Sequence, residues 1–374
     1  MKNIKIITCH DVYNYGASLQ AFALQSYLKG RGYEVQIIDY KPDYIGFHYK
    51  FNWFVHPVSN FKKYTDKSRV VHFVYCLLRY VCSFSSIKRK WAFDNFTNKY
   101  LDLTKEYNSN EDIKRNLPLA DVYIAGSDQI WNSVTMLNGL DPAFYLQFAP
   151  PKTRRISYAA SFGASKINES YRDQILSWIK SLDAVSVRES SGVKLLSEEG
   201  IISTHVCDPV FIYSAEMWKS ALGITSLKEQ YVLIYNLTTI NEKLLDDAIY
   251  TATQKGLKLY SVSPMKIKQA DKCFTSVSPA KFVELIFNAQ YVFTNSFHGT
   301  AFSIISNNQF FTYNYHSNEN SLRMRSILEK MDLLSRFNVA DIEKGLQQPI
   351  NYRIVQNSIN AAIADSQNWL LSNI

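Results

Sequence analysis

Apolar and polar positions fall along this chain in blocks that read as strand, loop, helix and strand again. Residues 4–8 form a short apolar, β-branched run followed by a polar stretch, the pattern of a strand buried in a parallel sheet. Residues 16–30 then carry helix formers, among them Ala17, Leu19, Gln20, Ala21, Ala23, Leu24 and Leu28, and Gly30 and Gly32 end the run. Residues 34–40 predict a second strand. An opening of this kind predicts a doubly wound α/β domain.

The pattern breaks at residues 41–116, which are aromatic and basic with helical stretches and no clear strand. They are expected to be an insertion or helical subdomain. Strand patterns resume at residues 122–125, 155–159, 184–187 and 203–207, with helices at 171–182 and 191–199. A second series starts after Lys228: strands at 231–236, 258–262, 291–294 and 310–313, helices at 241–256, 279–288 and 299–306. Two successive series predict two Rossmann-like domains facing a cleft, a GT-B-like α/β arrangement. The expected division is residues 1–225, residues 226–350, and a C-terminal helix within 351–374 that packs back on both.

Length and composition sharpen this picture. The chain has 374 residues, 47% of them hydrophobic, enough for two ordinary cores. The net charge of +8 and pI of about 9.0 favour anionic partners, whether phosphates, nucleic acid or an acidic membrane surface. Five cysteines without a CxxC pair point to buried thiols in a reducing compartment. The apolar start is too short for a signal peptide, and the longest apolar run, residues 70–84, is interrupted by His72 and Arg79. A cytoplasmic protein is expected. Residues 61–91 mix Lys62, Lys63, Lys67, Arg69, Arg79, Lys88, Arg89 and Lys90 with apolar side chains. They read either as a segment lying on an anionic membrane or as a core helix covering the N-terminal domain with a solvated basic flank.

The signatures GxGxxG, Walker A, HExxH, GxSxG and DxD are absent, which lowers the standing of nicotinamide enzymes, P-loop NTPases, zincins, serine hydrolases and metal-dependent GT-A transferases. Six polar clusters remain at strand ends, where open α/β sheets bind ligands. After the first strand come Asn14, Tyr15 and Gly16, fit to meet an anion or sugar edge, or simply to cap a helix. Gly126-Ser127-Asp128-Gln129-Ile130-Trp131-Asn132 offers hydroxyl readers and a ring for a sugar face, or plain Asx-turn chemistry. Tyr158-Ala159-Ala160-Ser161-Phe162-Gly163 suggests close backbone approach or close packing. Arg188 reads as an anion clamp or as the partner of Glu189. Asp208-Pro209-Val210 reads as a turn. In Ser296-Phe297-His298-Gly299-Thr300, His298 sits where a strand meets a small-residue helix, a setting for anion binding and proton transfer or for helix capping.

These clusters together, in this order, resemble the polysaccharide pyruvyl transferase family. The resemblance implies a GT-B-like fold, phosphoenolpyruvate as co-substrate with no further cofactor or metal, and a glycan or lipid-linked sugar as acceptor in surface polysaccharide (exopolysaccharide or capsule) biosynthesis. Nucleic acid is not expected as a partner; contact with the inner membrane surface is compatible with a lipid-linked acceptor. His298 matches the family's active-site histidine, with Arg188 beside it on the anionic donor. Some members carry Arg two residues before the histidine, where this chain has Ser296, so Arg323 or Arg325 is expected to supply that cation. Ser296, Gly299, Thr300 and Arg323 are assigned to the donor. Asn14, Tyr15, Gly16, Ser127, Asp128, Gln129 and Trp131 are assigned to the acceptor. The rival readings are a GT-B glycosyltransferase using a nucleotide sugar and a non-catalytic carbohydrate-binding homologue.

Overall fold

The structure, a computed structural model, describes residues 1–45, 68–81, 84–237, 241–314 and 318–374, without the side chains of residues 76–86 and 318–320. Strands β1 (Asn3–Ile7), β2 (Glu34–Tyr40), β3 (Leu103–Tyr107), β4 (Val122–Ala125), β5 (Arg154–Ala160), β6 (Ala184–Val187) and β7 (Thr204–His205) form one parallel sheet in the order β3-β2-β1-β4-β5-β6-β7. Strands β8 (Tyr231–Tyr235), β9 (Lys258–Val262), β10 (Lys272–Phe274), β11 (Tyr291–Thr294) and β12 (Gln309–Thr312) form a second parallel sheet in the order β10-β9-β8-β11-β12. Ile4, Ile6 and Ile7, like every residue from Tyr231 to Tyr235, are buried. Strands covered on both faces read as unbroken apolar runs, which is why the sequence pattern finds them.

Each sheet runs outward from its first strand in one direction and then reverses, between β1 and β4 in one and between β8 and β11 in the other. That reversal opens a crevice beyond the carboxyl ends of the strands. The two crevices face each other, so this is the GT-B arrangement. One apolar cluster joins the halves, from Ile6 and Leu24 through Val210 and Phe302 to Leu233. The helix Tyr352–Asn373 crosses back over both. The Tyr352 hydroxyl donates to the Asn308 carbonyl at 2.6 Å, while Ser366 Oγ accepts from the Cys207 amide at 2.8 Å and Gln367 donates to the Ile212 carbonyl at 3.1 Å.

Residues 41–116 depart from expectation. They contain β3 and a short helix, Asn110–Arg115. β3 is a half-exposed edge strand with Lys105 and Glu106 at its centre, and so lacks the apolar run by which strands are read. β10, an edge strand of three residues, escapes notice for the same reason. The helix Arg69–Val81 exposes Val70, Val71, Phe73 and Val74, and Trp91 on the helix Phe84–Tyr100 is 70% exposed. These five side chains are not core. Lys62, Lys63 and Lys67 lie outside the described residues.

Candidate active site

A cleft of about 790 Å³ lies between the two crevices. Cys9, Val12 and Asn14 line it from the loop after β1, Asp128 and Gln129 from the loop after β4, Leu237 from beyond β8, Ser296, Phe297 and His298 from beyond β11, and Arg323 from the helix Asn318–Lys330. Six residues singled out from the sequence therefore meet here: Asn14, Asp128, Gln129, Ser296, His298 and Arg323. Arg188 lies directly beneath, almost fully buried.

Asp208, completely buried, organises the floor. It accepts from Arg188 Nη1 at 2.6 Å, Ser127 Oγ at 3.1 Å and the Val210 amide at 3.1 Å. His298 Nε2 stands 3.6 Å from its Oδ2. Burial by itself would raise this carboxyl's pKa, but His298 and Arg188 hold it well below the usual carboxylate range. Arg188 Nη2 reaches Asp128 Oδ1 at 3.5 Å, and its guanidinium carbon lies 4.7 Å from the Phe297 ring centroid. Its pairing is with Asp208 and Asp128 rather than Glu189. Glu189 instead accepts from Ser161 Oγ at 3.0 Å and the Phe162 amide at 2.8 Å, and so braces the turn after β5.

Arg323 is also buried. Burial, and then the nearby Arg188, draw its pKa down to about 10, so it stays charged at neutral pH. Gln129 satisfies it when the carboxamide oxygen faces the guanidinium, at 3.1 Å from Nη1 and 3.2 Å from Nη2. Arg325, two positions further along the helix, is exposed and paired with Glu329 at 2.8 Å. Of the two arginines named as substitutes for the missing cation, only Arg323 faces the cleft.

His298 lies in the first turn of the helix Phe297–Ile305, whose N-cap is Ser296. Its Nε2 is buried without a hydrogen-bond partner. Gly16, in the first turn of the helix Tyr15–Gly30, packs against the same ring: a Cβ there would lie 1.8 Å from His298 Nδ1 and 2.1 Å from Cε1. The histidine of one half is thus seated on a glycine of the other.

Several expected contacts are not made. Trp131 is fully buried, stacked on Tyr145 at 5.5 Å with its indole N–H donated to the Phe144 carbonyl at 3.1 Å. An apolar ring with its one polar group satisfied is core, not a sugar platform. Ser127 is buried and donates to the Ala159 carbonyl as well as to Asp208. Tyr15 lies between Phe93 at 5.2 Å and Phe282 at 4.5 Å. Gly299 packs on Thr294 and Tyr235, with its amide on Ser296 Oγ at 3.4 Å, and the Thr300 hydroxyl donates to the Ser296 carbonyl at 3.0 Å. None of these five lines the cleft. Asn14 does, but its side-chain oxygen also accepts from the amides of Gly16 and Ala17 at 2.9 and 3.4 Å, as a cap.

Two features went unread in the sequence. Asp208 looked like a turn, and it does cap the helix Pro209–Ile212; only its burial beside Arg188 and His298 reveals the other task. The loop carrying Val134, Met136 and Leu137 forms an exposed apolar rim of the cleft, which Tyr44 and the buried Ile45 also line, and no local signal marks it.

The family profile described as polysaccharide pyruvyl transferase matches residues 14–317. The chain belongs to the polysaccharide pyruvyl transferase family. Within that span fall all the residues gathered at the cleft except Cys9, Val12 and Arg323. Among curated proteins no sequence matches the chain. Solved structures similar to it include UDP-N-acetylglucosamine 2-epimerase from Rickettsia bellii, at 12% identity over 100% of this chain and 96% of that one, TM-score 0.48. Another is Arabidopsis thaliana UGT89C1 complexed with UDP-L-rhamnose, at 8% identity over 98% and 94%, TM-score 0.48. A third is E. coli heptosyltransferase WaaC with ADP-2-deoxy-2-fluoro heptose, at 8% identity over 84% and 90%, TM-score 0.39. At this level of similarity they add nothing to the topology given by the strand order.

Proposed function

We propose that this family member transfers the enolpyruvyl group of phosphoenolpyruvate to two hydroxyls of a sugar, forming a pyruvate ketal. The observation that carries the reading is the meeting of His298 and the buried Arg323 on one cleft, with the buried Arg188 directly beneath it. Two cations in a low-dielectric site fit a carboxylate and a phosphate on one small donor. His298, which lines the cleft, is the group assigned to protonate C3 of the enol. C2 then becomes electrophilic, one hydroxyl oxygen bonds to it, phosphate leaves taking up a proton, and a second hydroxyl closes the ring. Two hydroxyl protons are lost, one balanced at C3 and one on phosphate. Asp128, Gln129 and Asn14 face the remaining space and suit the acceptor's hydroxyls.

The acceptor in this reading is a glycan or lipid-linked sugar of surface polysaccharide synthesis, and the reaction uses no further cofactor or metal. No described helix is long and apolar enough to cross a membrane. The exposed Val70, Val71, Phe73, Val74 and Trp91, close in sequence to the exposed Arg69 and Lys88, support peripheral contact with the cytoplasmic face of the membrane. Phosphate release from phosphoenolpyruvate with candidate glycans, and mass spectrometry of the glycans for an added ketal, tests the reaction. Sugar transfer from a nucleotide sugar without use of phosphoenolpyruvate would replace it with the glycosyltransferase reading. Sedimentation with anionic vesicles tests the membrane contact: recovery in the supernatant at low salt would exclude it.

A further inference from the structure

The catalytic side chains proposed above come from two halves of the molecule, and one carboxylate reaches both. Asp208 follows β7 in the first half, with Arg188 on the end of β6 and Ser127 after β4. His298 belongs to the second half, after β11. Asp208 touches no part of the cleft surface, so it has no direct access to a substrate. A fully buried carboxylate is costly unless paired, and the local fold does not require one here: a hydroxyl or amide would cap the helix Pro209–Ile212 as well. Its charge is matched instead by Arg188 at 2.6 Å and approached by His298 Nε2 at 3.6 Å.

We infer that Asp208 is a positioning residue that orients His298 across the cleft and supplies the counter-charge for its imidazolium, while locking Arg188 in place on the same carboxylate. The inference rests on the proposed role of His298. The geometry resembles other sites in which a buried carboxylate fixes the orientation of an acid–base histidine without itself taking the proton. Gly16 packs against the Nδ1 side of the ring, so the imidazole is confined between a carboxylate and a helix backbone and has little rotational freedom. The charged groups around the pair are Arg188 and Glu189 on the segment after β6, Asp128 after β4 and Arg323 on the helix Asn318–Lys330. Within the pair, Asp208 Oδ2 stands 3.6 Å from His298 Nε2.

Asp208→Asn keeps the shape and the acceptor oxygen but removes the charge. The His298 ring resonances, identified by their loss in His298→Gln, are followed by NMR against pH in wild type and variant. The expected result is a titration midpoint about one pH unit lower in Asp208→Asn, because the imidazolium loses its counter-ion. Phosphate release from phosphoenolpyruvate should fall about 10²-fold in kcat with a smaller change in acceptor KM, and its pH profile should move in the same direction. If Asp208→Asn does not fold, Asp208→Asn combined with Arg188→Gln removes both charges of that pair, and its His298 titration is compared with that of Arg188→Gln alone. An unmoved His298 titration overturns the inference, whatever the activity. A moved titration in a protein that never consumes phosphoenolpyruvate upholds the coupling and removes the proposed reaction instead.

Discussion

Replacing Gly16 with alanine isolates the contact on which the proposed site depends. Gly16 is helical and has no left-handed backbone requirement, so helix propensity alone would make Gly16→Ala stabilising, by up to about 1 kcal/mol. Sterics oppose this. The new Cβ would sit 1.8 Å from His298 Nδ1, 2.1 Å from Cε1 and 2.3 Å from Cγ. Restoring van der Waals contact needs the ring or the helix to move by about 1.6 Å, taking the shortest of these distances. Neither is free to do so: the ring is buried in the first turn of a helix, and the helix Tyr15–Gly30 is buried along most of its length. Overpacking of this kind costs about 1–3 kcal/mol, so the melting temperature should fall by a few degrees rather than rise. A displacement above 1 Å at an acid–base group should lower kcat about 10²-fold or more. The assays are differential scanning calorimetry and phosphate release from phosphoenolpyruvate. His298→Ala in the same background removes the ring and should recover the lost stability, giving a coupling between residues of different halves. A Gly16→Ala protein with undiminished kcat and a raised melting temperature would refute the argument.

Other expectations follow from the same geometry. His298→Ala should lower kcat by about 10²–10⁴-fold while circular dichroism and melting remain close to wild type; full activity would remove His298 from the mechanism. Arg323→Gln should raise the phosphoenolpyruvate KM at least about tenfold, whereas Arg325→Gln on the outer face should leave it unchanged, and equal effects would show that the cleft does not distinguish them. Trp131→Ala should destabilise by about 3–5 kcal/mol through the loss of a packed core ring; a stable protein impaired only in acceptor KM would restore the tryptophan to the acceptor site.

The clusters that the sequence singled out divide cleanly once folded. Asp128, Gln129 and Trp131 share one short segment, yet the first two face the cleft and the third faces the core. Local spacing cannot settle this, because the chain after β4 runs through a left-handed residue at Asp128 that turns successive side chains in unrelated directions. Ser127 and Asp208 show the complementary failure. One looked like a substrate contact and the other like a turn; Asp208 instead accepts from Arg188, and Ser127 donates to Asp208. Ser296 caps the helix that bears His298, while the arginine that lines the cleft, Arg323, stands on a separate helix.

By itself the sequence determined the two α/β series, the strands of both sheet interiors and the loops in which chemistry would be found. Buried parallel strands must be continuously apolar and their helices periodic, and these are local properties written along the chain. The edge strands β3 and β10 lay outside that reach, because an edge is half exposed and needs no apolar run. Tertiary structure alone decided which polar side chains face the cleft. The meeting of Asp208 with His298, and of Gly16 with the same ring, joins residues 90 and 282 positions apart. It exists only because two separately wound sheets present their points of reversal to each other across one cleft.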